Sequence, residues 1–336
     1  MTECVFQRAL IPVNRCICEN EMARARGTVP LHFCETCEFR TTDESVLLKY
    51  LQDPVTPPET LHFVWVYWQG GARGDELRLS IRSVEQNALF PVKITVIGDR
   101  PSWYTGHFIR KPQIASCENH NIADQLSKTV LMSEHPDIGE HIVWMMDDIF
   151  FLSPFAQEDV MLPRGVRFSR SARNAWQILK GRTADVLHER GYPTIDYATH
   201  APHYVEKTRL QKIVEEFGLK ARTLIWENLY NNVVRREHHP IRPWLARIKN
   251  QLSKNEFYRH TANSAVCNTT DSAWCVGIRD AIAEICPFPS SVEQPGTFPE
   301  DIARVNNAPA VKRRPEHLRD KEAYHAHLRS IGVLIR

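Results

Sequence analysis

Two adjacent carboxylates, Asp147 and Asp148, interrupt the apolar run Ile142-Val143-Trp144-Met145-Met146, and Ile149-Phe150-Phe151-Leu152 follows at once. An apolar run of this length reads as a buried strand of the parallel type. Two ionised carboxylates at its end are costly to bury unless a cation or a donor network compensates them. The carboxyl ends of strands in an open α/β sheet are also where ligands bind. Asp147 and Asp148 are therefore the candidate site for a divalent cation, Mn²⁺ or Mg²⁺, carrying the diphosphate of a nucleotide ligand.

Other residues offer supporting chemistry. Arg78 and Arg82 are one helical turn apart, so they share a face and can clamp a diphosphate. Lys128 can add a point charge. His200 and His203 flank Pro202; a histidine can take a proton from a hydroxyl or ligate a metal, and His203 is a further candidate ligand. Asp196 and Glu227 are the nearest carboxylates in sequence. Glu227 lies among Ile225, Trp226, Leu229 and Tyr230, an environment that raises a carboxyl pKa and suits a general base. Trp65, Trp68, Trp103, Trp144 and Trp226 can stack on a sugar or a base, although most such residues are core.

A second cluster lies near the N-terminus. Cys16-x-Cys18 is separated by fifteen residues from Cys34-x-x-Cys37. Two thiol pairs on two chain segments can supply four sulfurs to one tetrahedral Zn²⁺. Such a closed site is structural rather than catalytic. Cys117, Cys267, Cys275 and Cys286 have no metal spacing and read as core or surface thiols.

The positioning elements follow from the apolar period. Residues 61–67 read as a strand leading into a glycine-rich loop, and residues 75–87 as a helix with Leu77, Ile81 and Val84 inward. Strands are predicted at 92–97, 108–109 and 142–146, and a helix at 122–135. Beyond Pro154, helices are predicted at 207–217 and 221–233 with Gly218 as a cap between them. Alternation of this kind predicts a mostly parallel α/β sheet with helices on both faces. Asp53-Pro54-Val55-Thr56-Pro57-Pro58 reads as a linker. The expected organisation is a cysteine-rich zinc module over 1–45, a catalytic domain over 59–235, and a basic, mainly helical C-terminal extension over 236–336.

The 336 residues carry a net charge of +2, which excludes polyanion binding by bulk charge. Residues 235–260, however, hold Arg235, Arg236, Arg242, Arg247, Lys249, Lys254 and Arg259 against only Glu237 and Glu256. No stretch is long and apolar enough to span a bilayer, and the N-terminus lacks the pattern of a signal peptide. The expected location is the cytoplasm, or the host cytoplasm for a phage-encoded chain.

Three segments also carry a resemblance. They are Gly74-Asp75-Glu76-Leu77-Arg78-Leu79-Ser80-Ile81-Arg82, Glu118-Asn119-His120-Asn121-Ile122-Ala123 leading to Met146-Asp147-Asp148-Ile149-Phe150, and Thr199-His200-Ala201-Pro202-His203. In order and spacing, over about 60–235, they resemble the Stealth-type sugar-phosphate transferases and related phage and bacterial glycosyltransferase-like proteins of the GT-A, Rossmann-like, nucleotide-sugar-binding fold. The resemblance implies a nucleotide-sugar donor, expected to be UDP-linked, and a divalent metal at Asp147 and Asp148. It implies donor contacts from Gln69, Arg78, Arg82, Asn121 and Lys128, and an active-site histidine at His200. The family's Trp-Val-Asp-Gly-like turn here reads Trp65-Val66-Tyr67-Trp68-Gln69-Gly70. The missing acid favours ordinary glycosyl transfer over sugar-1-phosphate transfer.

The sequence thus points to a metal-dependent glycosyltransferase acting on an acceptor hydroxyl, with Asp148, His200 and Glu227 in catalytic roles. The acceptor reading includes hydroxylated bases of phage DNA, given the zinc module and the basic stretch. The rival from another class is a non-catalytic, zinc-containing nucleic-acid-binding protein, which predicts salt-dependent DNA or RNA binding.

Overall fold

The structure is a computed structural model that describes residues 2–4, 9–11, 58–114, 120–171, 173–234 and 239–294. Strands β1 (Thr2–Cys4) and β2 (Ala9–Ile11) form an antiparallel pair. The four cysteines expected to hold zinc lie outside the described residues. Cys267 and Cys286 are buried free thiols and Cys275 is a partly buried one.

The central sheet has five strands in the order β5-β4-β3-β6-β9. These are β3 (Leu61–Tyr67), β4 (Val92–Gly98), β5 (His107–Arg110), β6 (His141–Met145) and β9 (His203–Glu206). The first four are parallel and β9 is an antiparallel edge. All seven residues of β3 are buried, because helices cover both faces. Phe63, Trp65 and Tyr67 pack on one side with Leu77, Ile81 and Val84 of α1 (Glu76–Asn87). Val64 and Val66 pack on the other with Leu126 and Met132 of α2 (His120–Glu134). Side chains two apart along a strand share a face, so one strand anchors both layers. Helices α5 (Lys207–Glu216) and α6 (Trp226–Val234) complete the second face through Leu210, Ile213 and Leu229. The helix expected over 221–233 begins only at Trp226.

His62 is the one ionisable side chain within β3 besides the tyrosine hydroxyl. Its Nδ1 accepts from the Gly139 N–H at 3.0 Å, and its Nε2 lies 2.7 Å from the Thr95 hydroxyl. Burial, helped by the nearby charge of Lys93, pushes this histidine down to about 3, so it is a neutral sheet residue.

The apolar run that carries the two aspartates is not one strand. It is β6 up to Met145 and then β7 (Ile149–Phe151), with Met146, Asp147 and Asp148 between them. β7 belongs to a second sheet, ordered β11-β12-β7 with β11 (Leu245–Ile248) and β12 (Val266–Thr269). Helices α7 (Lys254–Thr261) and α8 (Val276–Ile285) cover it through Phe257, Ile278 and Ile282. Trp274 stacks on Phe150 at 5.5 Å. Residues 239–294 were expected to be mainly helical, but they also supply β10 (His239–Pro240), β11 and β12. β12 pairs antiparallel with β7 and β10 pairs with β8 (Arg164–Gly165). The described part of this segment is therefore woven into the sheets of the preceding one. The remaining helices are α3 (Gln157–Met161) and α4 (Ala175–Glu189).

Candidate active site

The chain runs outward from β3 through β4 to β5, then returns through α2 to place β6 on the opposite side of β3. This reversal opens a crevice at the carboxyl ends of β3 and β6. A cavity of about 330 Å³ occupies it. Trp68, just after β3, and Met146, Asp147 and Asp148, just after β6, form one part of its wall. Asn121, Gln125 and Lys128 of α2 form another. His200, Glu227 and Trp176 complete the side towards the second face of the sheet.

Six of the expected site residues therefore converge: Asn121, Lys128, Asp147, Asp148, His200 and Glu227 all line this one space. His200 Nε2 lies 2.8 Å from both Asp148 oxygens. An ionised carboxylate only accepts, so the histidine donates. Burial opposes the charge on His200, but Asp148 more than offsets this and the pKa is raised. The backbone at His200 is left-handed, with φ 59°, a region that costs a non-glycine residue of order 1 kcal/mol or more. Two groups of β12 hold the arrangement. The Asn268 side chain donates to the His200 carbonyl, and the Thr269 N–H donates to the Asp148 carbonyl at 3.1 Å.

Further acidic groups line the cavity. Burial and then the Asp148 charge push Asp147 up to about 7. Glu76, at the start of α1, is raised well above the usual carboxyl range by burial and by Asp147 and Asp148. Its carboxylate also accepts from the Arg73 N–H at 2.6 Å. Asp271 lines the same cavity. Glu227 is pushed up to about 7, chiefly by burial.

Lys128 is buried and paired. It donates to Asp124 at 2.6 Å and to the Tyr67 carbonyl at 2.9 Å. Gly98, at the end of the neighbouring strand, makes this possible. Its φ of 134° favours glycine, and a Cβ there would lie 1.9 Å from the Tyr67 oxygen and 3.1 Å from the lysine amine.

Three expectations are corrected. Arg78 and Arg82 share a helix face, as their spacing predicts, but that face points away from the cavity. Arg82 donates to both Glu293 oxygens, at 2.6 Å and 2.5 Å. Arg78 lies over the Trp103 ring and 3.7 Å from Glu293. Both guanidiniums are buried and matched by Asp75 and Glu293, so they are structural pairs rather than a diphosphate clamp. His203 pairs with Trp144 across β6 and β9 and packs against both the Trp144 and Trp226 rings, at 6.0 Å and 5.8 Å. It does not line the cavity, and burial pushes it down to about 3. Gln69 is exposed beside the cavity, and its N–H donates to Asp99. Of the five tryptophans expected to stack on a ligand, Trp68 and Trp144 reach the cavity, whereas Trp65 donates to Ser80 in the core.

Glu76, Trp176, Asn268 and Asp271 were not singled out as site residues, and Arg247 was named only as one of the basic residues of 235–260. Glu76 lies inside the first segment of the resemblance, where a helix-start acid next to the two arginines was the available signal. The other four carry no motif and reach the site only through the second sheet and α4.

No group of three or more His, Cys, Asp or Glu among the described residues is arranged to hold a metal ion by itself. No described helix is long and apolar enough to cross a membrane.

No family model and no curated protein matches the chain. Among solved structures it is similar to the apo form of the WbbM bifunctional glycosyltransferase, at 11% identity and a TM-score of 0.39, over 71% of this chain and 51% of that one. It is also similar to the galactosyltransferase LgtC in complex with donor and acceptor sugar analogues, at 10% identity and a TM-score of 0.40, over 70% and 98%. A third is the glycosyltransferase GlyE of Streptococcus pneumoniae TIGR4, at 9% identity and a TM-score of 0.35, over 72% and 67%. The chain spans about half the length of the first of these. At this level of likeness, the fold rests on the strand order and the function on the cavity.

Proposed function

We propose that this chain is a glycosyltransferase that moves a sugar from a nucleotide-sugar donor to an acceptor hydroxyl. The observation that carries the reading is the Asp147-Asp148 pair at the switch point between β3 and β6, with His200 bonded to Asp148 inside the cavity. A sheet crevice of this kind takes nucleotides, and its aromatic walls at Trp68, Trp144 and Trp176 suit stacking on a base or sugar.

The donor set fits a hard divalent cation shared with phosphate oxygens. Mg²⁺ and Mn²⁺ are commonly held by one or two carboxylates plus substrate phosphates rather than by an all-protein cage. Asp147 and Asp148 would hold the ion, and the raised pKa of Asp147, caused first by burial and then by the adjacent Asp148 charge, marks negative charge that the surrounding residues leave under-compensated. When bound, the ion supplies charge neutralisation at the departing diphosphate.

The protein's own residues would do the rest. Glu227, at about 7, is suited to accept the acceptor's proton at working pH. As the acceptor oxygen bonds to the anomeric carbon, the bond from that carbon to the phosphate oxygen breaks, and the electron pair leaves with the nucleoside diphosphate. His200 already carries a proton shared with Asp148, so it orients that carboxylate rather than acting as base. Lys128 and Asn121 shape the donor side.

Sugar-1-phosphate transfer, the Stealth-type alternative, would release a nucleoside monophosphate instead. The test is a panel of nucleotide sugars with Mn²⁺, followed by released nucleotide. Hydroxylated DNA bases and simple sugars serve as acceptors. Asp148→Asn is expected to abolish diphosphate release while keeping the native unfolding transition. Full turnover in that variant would remove the reading.

A further inference from the structure

The corrected positions of Arg78 and Arg82 leave the proposed donor without the cation that would meet its phosphates. The cavity itself supplies a replacement. Three cationic side chains line it: Lys128, His200 and Arg247. Lys128 is matched by Asp124 and the Tyr67 carbonyl, and His200 by Asp148. Arg247 forms no ion pair or hydrogen bond with any described residue.

Its placement follows from the second sheet. In β11, Ala246 and Ile248 are buried in the core of the second sheet and Arg247 between them is exposed, so the alternation of the strand turns this side chain to the opposite face. β11 pairs with β12 so that Arg247 stands opposite Asn268, the residue whose side chain holds the His200 carbonyl. Its positive charge is felt at His200. Arg247 therefore lines the same cavity as the Asp148–His200 pair and comes to it from the second sheet.

The charges of the cavity give this a purpose. Glu76, Asp124, Asp147, Asp148, Glu227 and Asp271 line it, and of these Asp124 is paired with Lys128. A divalent ion at the aspartates would offset those two carboxylates and leave a bound diphosphate still in need of a cation. An unengaged arginine meets phosphate oxygens through two parallel N–H donors.

We infer that Arg247 is the diphosphate-binding residue of this cavity, contributed by the second sheet and facing the two aspartates across the ligand. This inference rests on the glycosyltransferase reading. The class of ligand is a nucleoside diphosphate or its sugar ester, bound through the phosphates rather than through the base.

The test is calorimetric binding of nucleoside diphosphates and the matching nucleosides, each with Mn²⁺, to the full chain and to Arg247→Gln and Arg247→Lys. Loss of a charge-assisted bidentate contact is expected to weaken diphosphate binding about tenfold or more. Nucleoside binding is expected to be unchanged, and the lysine variant to recover part of the loss. Thermal stability should not move, because the side chain is exposed and unengaged. Equal diphosphate affinity in native and Arg247→Gln protein would overturn the assignment of Arg247 and leave the glycosyltransferase reading standing. An unmodified chain that binds no nucleoside diphosphate would overturn both.

Discussion

Arg82→Met separates the two meanings that a helical arginine pair can have. In the structure, Arg82 closes a buried bidentate pair with Glu293, a residue 211 positions away. Glu293 Oε1 also accepts from the Ser290 N–H and hydroxyl at 2.9 Å and 3.1 Å. Both side chains are about 2% exposed. Removing one partner of a buried pair leaves an uncompensated charge and costs about 3–5 kcal/mol. Arg78, 3.7 Å from the same carboxylate, stays behind and brings the expected loss to the lower end, about 3 kcal/mol. Urea unfolding at pH 7 measures it, with an unchanged slope expected if the native fold persists. The double change Arg82→Met with Glu293→Leu removes the orphaned charge and is expected to recover most of the loss. Glu293 is held below the usual carboxyl range: burial opposes this, but Arg82 and the Ser290 N–H outweigh it. Its contribution is thus present above the ordinary carboxyl value and fades as pH falls through the lowered one. The gap between native and variant protein should narrow in acid. A variant within about 1 kcal/mol of native stability, with weakened nucleotide binding, would refute the structural assignment and return Arg82 to the ligand.

Three other outcomes are expected. His62, neutral in the fold down to about 3 against 6.5 unfolded, contributes stability that is full above 6.5 and lost on acidification; by pH 5 the loss is about 2 kcal/mol, and His62→Gln should remove that share of the acid sensitivity seen in urea titrations at pH 5 and 7. Glu227, raised from 4.5 to about 7, has the opposite sign. Its burial penalty grows as pH rises through that window, so Glu227→Gln should be more stable than native at pH 8 by up to about 3 kcal/mol, while turnover falls at least about a hundredfold; unchanged turnover would take the base role from it. Asn268→Leu should cut turnover while lowering unfolding free energy by about 1–3 kcal/mol, and full activity would show that His200 keeps its left-handed backbone without this bond.

The four parallel strands of the central sheet were legible because β3, β4 and β6 are apolar runs and periodic helices separate β3 from β4 and β5 from β6; the four-residue antiparallel edge β9 was not predicted. The aspartate pair was legible for a physical reason: burying two charges is expensive, so their presence in an apolar run marks a site. Glu227 was legible from its apolar neighbours, and it does line the cavity. The direction of a helix face was not legible. The spacing of Arg78 and Arg82 puts them on one face, but which face depends on Glu293, which local sequence cannot reveal. His203 failed for a similar reason. It is three residues from His200, yet the β6–β9 register carries its side chain onto the sheet face beside Trp144. The second sheet was invisible because β7, β11 and β12 have three or four residues each, and β7 was hidden inside the apolar run.

That hidden break links architecture to site. Asp147 and Asp148 stand where the chain leaves the central sheet and enters the second one. The same few residues end β6, bring two carboxylates to the cavity wall and start β7. β7 pairs with β12 in register, Ile149 opposite Asn268, and this places Asn268 and Thr269 against His200 and Asp148. The second sheet thus sets the position of the histidine relative to the aspartate, and its own core, with Phe150 stacked on Trp274, sets the position of β12. Packing changes in that core should therefore reach the cavity without touching it. The central sheet supplies the crevice; the second sheet supplies the geometry inside it.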